Sequence, residues 1–192
     1  MTHVLILQGH PDRAQTHLCH AIADAYGAAA EQNGHSVKVV SIAAQDIPYL
    51  RSKTEWEGSE LPLVAIEGQA AIRAADHIVL IYPLWMGDVP AIVKAWIEQV
   101  LRKGFAFDMD RTGWTAALHG KSARVIVTMG MPGLAYKWFF FAHSLRSLDR
   151  NILKFCGFRP VKWSIFGNAE DASGKAQKGF LEKAAQLGRA AR

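Results

Sequence analysis

Residues 77–96 read HIVLIYPLWMGDVPAIVKAW. The unbroken apolar run over residues 77–82, closed by Pro83, predicts a strand buried on both faces. Pro90 stands where a helix would begin, a position at which its missing N–H has no intrahelical partner. From there Ile92, Val93, Trp96, Ile97, Val100 and Leu101 form a wide apolar stripe that Gly104 ends. Strand, short loop and helix are the repeating unit of a parallel α/β sheet.

The same unit recurs on either side. Residues 4–7 predict a first buried strand that ends at Gln8-Gly9-His10-Pro11. A helix over residues 15–32 follows, with Leu18, Ile22, Tyr26 and Ala29 on one face, and Asn33-Gly34 stops it. Residues 36–42 predict a second strand, and residues 43–62 a long loop without clear period. A helix over residues 63–75 precedes the strand at 77. Residues 123–129 predict another buried strand, ending at Gly130, and Phe141, Leu145, Leu148, Ile152 and Phe155 mark a helix that stops at Gly157. Val161, Trp163 and Ile165 alternate with Lys162 and Ser164, as in a half-exposed edge strand. Phe180, Ala184 and Leu187 lie on a last helix. Five buried strands joined by helices imply right-handed crossovers and helices on both faces, a three-layer doubly wound α/β sandwich in one domain, residues 1–192.

Composition narrows the class. Half of the 192 residues are apolar and 20% are charged, which suits a packed domain. No apolar run approaches a membrane span, so no membrane insertion is expected, and the start of the chain reads as a strand and not a signal peptide. Cys19 and Cys156 form no Cys-x-x-Cys pair, which fits a reducing cytoplasmic setting. The formal charge is +5, with Arg73, Lys94, Arg102, Lys103, Arg124, Arg146, Arg150 and Lys154 scattered along the chain. No basic stripe interleaves with aromatics, so a solvated basic surface is expected and no nucleic-acid partner. A basic face favours a phosphate-bearing ligand and counts against an electron carrier that docks through acidic residues.

In a doubly wound sheet the ligand lies outside the C-terminal ends of the strands. Three unusual segments fall there: Gly9-His10-Pro11-Asp12, Pro83-Leu84-Trp85-Met86-Gly87 and Thr128-Met129-Gly130-Met131-Pro132-Gly133. The first leads into a helix N-terminus carrying Thr16 and His17, where free N–H groups and the helix dipole favour a phosphate. The third is rich in Gly and Pro, which lets backbone approach a flat ring. No Gly-x-Gly-x-x-Gly follows the first strand and no P-loop motif occurs. His17 and His20 share a helix face, but no carboxylate or cysteine cluster completes a site, so no metal is expected.

These segments resemble the flavodoxin-like NAD(P)H dehydrogenase (quinone) family. Gly9-His10-Pro11 with Thr16-His17-Leu18 resembles its opening motif, and residues 82–96 resemble its Pro-Leu-x-Trp…Pro-Ala-x-x-Lys signature. Gly104-Phe105-Ala106-Phe107, Thr128-x-Gly130 with Tyr136, and Phe155-Cys156-Gly157-Phe158 match further landmarks. The similarity runs from residue 4 to residue 166. It implies a flavodoxin-like five-stranded parallel sheet in the order 2-1-3-4-5. It also implies FMN or FAD as cofactor, NAD(P)H as co-substrate, and ping-pong hydride transfer through the flavin to a quinone-like acceptor.

By the same resemblance His10, Thr16 and His17 would hold the flavin phosphate and ribityl chain. Pro83, Leu84, Trp85 and Met86 would line one edge of the ring, and Thr128, Met129 and Gly130 would give backbone contacts along another. Tyr136 and His143 would be the catalytic pair. Met86 replaces the family's usual aromatic, and the segment between Gly130 and Phe155 is a few residues shorter than in the animal quinone reductases. The chain lacks those enzymes' C-terminal extension and resembles the compact bacterial members. The same flavin site would also suit an azo- or nitro-compound reductase or an FMN reductase, and the fold an ancillary regulatory flavoprotein subunit or an electron carrier. The apolar surplus Trp138-Phe139-Phe140-Phe141 suggests a homodimer.

Overall fold

Every second residue of a strand faces the same side of its sheet, so the apolar runs above sort themselves into two cores. In the computed structural model, which describes residues 1–58, 60–111, 113–170 and 174–191, five parallel strands do this. They are β1 (His3–Gln8), β2 (Ser36–Ser41), β3 (His77–Pro83), β6 (Ser122–Thr128) and β7 (Val161–Phe166), in the order β2-β1-β3-β6-β7. Val4, Ile6, Val79, Ile81 and Ile126 point to the layer formed by α1 (Leu18–Gln32) and α8 (Lys175–Ala190). Leu5, Leu7, Ile78, Leu80, Tyr82, Val125 and Val127 point to the opposite layer, which holds α3 (Leu63–Ala74) and α4 (Ala91–Val100). The main sheet therefore has the order expected from the sequence, 2-1-3-4-5 when its strands alone are counted.

Three segments differ from the sequence-based expectation. The strand expected over residues 36–42 ends at Ser41, a 3-10 turn, Ile42–Ala44, leads into the loop over 43–62, and that loop contains a short helix α2 (Lys53–Glu57), started where Ser52 Oγ accepts the Glu55 N–H at 3.1 Å. An antiparallel hairpin, β4 (Phe107–Asp110) and β5 (Gly113–Ala116), lies between α4 and β6. The helix expected to include Phe141 begins only at His143. Phe141 and Ala142 have φ of +53° and +49°, which no α-helix accepts. The chain makes α5 (Gly133–Trp138), turns, and then runs through α6 (His143–Ser147), a π-helical stretch Leu148–Leu153 and α7 (Lys154–Cys156). The wider π turn shifts the buried stripe by one residue, so Leu153 and Cys156 are buried where Ile152 and Phe155 had been expected.

Candidate active site

At the end of β1 the chain must turn beside its neighbours with no room for a side chain. The Gly9 N–H donates to the Ile81 carbonyl at 2.7 Å, and a Cβ there would stand 2.8 Å from Val93 Cγ2. This turn delivers His10, which is 8% exposed, and its Nδ1 accepts the Asp12 N–H at 3.2 Å. The His10 ring stacks on His17 with centroids 3.8 Å apart and planes at 17°, and Trp85 meets it edge-on at 6.0 Å. His17 caps α1, with Nε2 2.7 Å from Asp12 Oδ2 and its N–H donating to His20 Nδ1 at 3.1 Å.

Burial, followed by repulsion from His17, pulls the His10 pKa below its usual value. Its ring is therefore neutral at pH 7. Since Nδ1 accepts a bond, the proton is assigned to Nε2. The hydrogen bond from His17, and then that from the Ala14 N–H, holds the Asp12 carboxyl below the usual carboxylate range. Among the described residues no group of His, Cys, Asp or Glu has metal-holding geometry.

The second loop is a tight turn. Trp85 and Asp88 exchange backbone hydrogen bonds of 3.0 and 2.9 Å, while Met86 and Gly87 take φ of +48° and +82°. A methionine is strained in that region, and its side chain is fully exposed, with Trp85 half-exposed beside it. Below the turn, Tyr82 is fully buried and its hydroxyl has no hydrogen-bond partner among the described residues. Burial pushes that phenol well up, so it stays protonated.

The third loop is fastened to the end of β7. The Leu84 N–H donates to the Thr128 carbonyl at 2.8 Å, Met129 N–H to Phe166 O at 3.0 Å and Asn168 N–H to Met131 O at 3.1 Å. Gly167 permits this contact, since a Cβ on it would lie 2.2 Å from the Gly133 nitrogen. Thr128 is buried with Oγ1 3.3 Å from Cys19 Sγ, and burial raises that thiol to about 11, so it is not a thiolate nucleophile. The Met129 N–H expected to face a ligand is thus spent on Phe166, and the Met129 side chain packs in the core. The Gly130 and Met131 N–H groups make no hydrogen bond among the described residues, and the Glu170 carboxylate lies over Gly130.

His10, Thr16, His17, Pro83, Leu84, Trp85, Met86, Thr128, Met129 and Gly130 all fall on these loops and strand ends. Tyr136 and His143 lie further along. The Tyr136 side chain is buried, its hydroxyl 2.7 Å from Ser144 Oγ and accepting the Leu145 N–H at 3.3 Å. His143 is exposed and its ring touches Phe141 at 5.9 Å.

Sequence reasoning placed Asp12, His20 and Gln8 near the site but gave none of them a role; Asp12 and His20 are the partners of His17. Gln8 is 3% exposed, and neither atom of its amide has a partner among the described residues. A buried amide left open on both atoms is rare and costs free energy unless something else satisfies it. The visible signal was a polar residue ending an apolar strand just before Gly9.

A family profile described as "flavodoxin-like fold" matches residues 2–189. The chain is 28% identical over 190 residues to an uncharacterized NAD(P)H oxidoreductase of Haemophilus influenzae, covering 97% of this chain and 93% of that one. It is 35% identical over 111 residues to an FMN-dependent NADH:quinone oxidoreductase of Erythrobacter litoralis, covering 51% of this chain and 56% of that one. The chain spans about half the length of the curated mammalian ribosyldihydronicotinamide dehydrogenases [quinone] that it matches. Among solved structures, NAD(P)H:quinone oxidoreductase from Methanothermobacter marburgensis superposes with a TM-score of 0.84 at 25% identity, covering 98% of this chain and 96% of that one.

Proposed function

This chain belongs to the flavodoxin-like family, and from that premise we propose that it is a flavin-dependent NAD(P)H oxidoreductase that reduces quinones. In the overall reaction NAD(P)H, a proton and a quinone give NAD(P)+ and the hydroquinone. The observation that carries this reading is the polar cradle at the end of β1. A neutral His10, two residues beyond a Gln8 amide that has no partner among the described residues, stacks on His17 at the start of α1 and meets Trp85 edge-on. Such a cradle fits a phosphate-bearing, flat-ringed cofactor. When bound, the flavin supplies two-electron redox chemistry that the side chains do not carry.

The residues divide the remaining work. His17 Nε2, exchanging Asp12 for a phosphate oxygen, acts with the Thr16 hydroxyl and the free N–H groups of the first turn of α1 to hold the phosphate. His10, through Nε2–H, orients the chain that links phosphate to ring. Pro83, Leu84, Trp85 and Met86 form a shelf that covers one edge of the ring and excludes water. Of the Thr128-Met129-Gly130 segment, Gly130 supplies the N–H that meets a carbonyl edge, and Thr128 and Met129 fix its position. His143, exposed at the start of α6, is the proton partner, since an imidazole can both take up and release a proton. Tyr136 is a positioning residue that holds the first turn of α6 through Ser144 and the Leu145 N–H.

FMN is the cofactor favoured by the Erythrobacter relative, with FAD the alternative. A cytoplasmic homodimer completes the reading. The exposed flank at Trp85 and Met86 also admits flat azo or nitro aromatics as acceptors.

The test is a visible spectrum of the purified protein, with NADPH and then menadione added anaerobically. The reading predicts a flavin spectrum that bleaches with the first addition and recovers with the second. A colourless protein that takes up neither FMN nor FAD on reconstitution contradicts it.

A further inference from the structure

β7 does not let go of the site where its pairing ends. The segment that follows it, up to Glu170, runs alongside the third site loop, residues 129–133, and is tied to it. The Met129 N–H donates to the Phe166 carbonyl at 3.0 Å, the Asn168 N–H to Met131 O at 3.1 Å and the Ala169 N–H to Met129 O at 3.0 Å. From the first turn of α8, Gln177 Nε2 donates to the Ala169 carbonyl at 3.2 Å. Asn168 takes φ of +56°, a region that asparagine tolerates better than most residues with a side chain. These bonds fix where the next side chain starts, and that side chain is Glu170.

The Glu170 carboxyl group lies against Gly130. A Cβ on Gly130 would stand 3.2 Å from Glu170 Oε1 and 3.4 Å from Oε2, and its three nearest atoms would all belong to this carboxyl group. Gly130 does not have a positive φ, so backbone conformation alone does not demand glycine there. The missing side chain makes room beside an N–H that no protein carbonyl takes up among the described residues. Across residues 129–133 and 166–170 Glu170 is the one charged side chain. Among the described residues it forms no ion pair.

We propose that Glu170 sets the redox balance of the cofactor site: its negative charge at the ring edge weakens the hold on reduced flavin relative to oxidised flavin. The proposal rests on the flavin reading above, in which the Gly130 N–H meets a carbonyl edge of the ring. Two electrons and one proton turn the neutral oxidised ring into a reduced ring with one negative charge, gathered at the N1 and C2-carbonyl edge. A fixed anion beside that edge opposes the added charge and leaves the bound flavin a stronger reductant. The acceptors that gain are the weaker oxidants. A purely structural role would not need the carboxylate, because the four hydrogen bonds above hold the segment through its backbone.

The experiment compares the full chain with Glu170→Gln and Glu170→Asp, each loaded with FMN. Fluorescence quenching gives the dissociation constant of oxidised FMN, and reductive titration against a reference dye gives the midpoint potential. We expect Glu170→Gln to favour reduced over oxidised FMN by about tenfold more than the wild type, a rise of about 30 mV for a two-electron couple. Glu170 is exposed, so the difference should shrink in high salt. Glu170→Asp keeps the charge and should stay close to the wild type. A potential in Glu170→Gln equal to or below that of the wild type overturns the proposal. So does an equal gain in affinity for both oxidation states, which makes the side chain a steric competitor of the ring. A shift in Glu170→Asp as large as that in Glu170→Gln overturns it too, since charge is then not the cause. FMN uptake is scored first. A wild-type chain that takes up no flavin fails the redox reading itself, whereas normal uptake with an unmoved potential fails the role of Glu170 alone.

Discussion

The two ends of the central sheet are built on opposite principles. Where the strands begin, polar groups meet one another. The His3 N–H donates to Asp76 Oδ2 at 2.8 Å, and Lys121 Nζ donates to the Arg73 and Ala75 carbonyls at 2.9 and 2.6 Å. There His77 Nδ1 lies 2.7 Å from Ser122 Oγ, while its buried Nε2 has no partner among the described residues. Where the strands finish, the buried Gln8 amide and Tyr82 hydroxyl have no partners among the described residues, and Trp85 and Met86 stand in solvent. One end spends its polar groups on stability. The other leaves them open at the place where a doubly wound sheet receives its ligand.

This contrast can be broken most severely at Gly9. Gly9→Val drives a branched side chain into Val93 and the Ile81 carbonyl. It should cost about 3 kcal/mol or more, read as a fall in the denaturant midpoint, and abolish flavin binding with it.

His77 probes the closed end. Burial, with repulsion from Arg124 next, depresses its pKa from 6.5 to about 4. The unfolded chain therefore takes up a proton that the folded protein refuses as pH falls from 6.5 to 4. Stability from this group is intact above pH 6.5 and declines by about 3 kcal/mol across that window. Denaturant titrations at pH 7 and pH 4 should show a difference smaller by about this amount in His77→Gln.

At the open end, His17→Ala should weaken FMN binding by roughly 10- to 100-fold, read by fluorescence quenching, because it removes the cap that exchanges Asp12 for phosphate. Its effect on the stability of the free protein should be small beside that of Gly9→Val. The smallest expected change is the most informative in sign. Gln8→Leu should stabilise the free protein by about 1 kcal/mol, since it removes an unsatisfied buried amide, while weakening FMN binding. A loss of stability would mean that the amide is already satisfied within the fold.

The layered fold was legible in the sequence because long apolar strands and amphipathic helices announce themselves by period. The hairpin was not, because three of the four β4 residues, Asp108, Met109 and Asp110, are exposed and carry no alternation. The π-helical stretch was invisible for a related reason: one extra residue in a turn leaves composition unchanged and shifts only the burial phase. In the site, the glycine turn, the histidines and the Trp85 loop were readable as segments. The stacking of His10 on His17, the Asp12 clasp and the diversion of the Met129 N–H to Phe166 depend on ring orientation and on pairing between distant strands. No local spacing encodes these.

The most direct test of the account is amide hydrogen exchange of the protein with and without FMN, read peptide by peptide. The account predicts new protection over residues 9–20, 84–88 and 129–133, with none around His77, Lys121 and Ser122. Protection confined to the hollow lined by Trp56, Arg73 and Phe105, or no protection at saturating FMN, would contradict it.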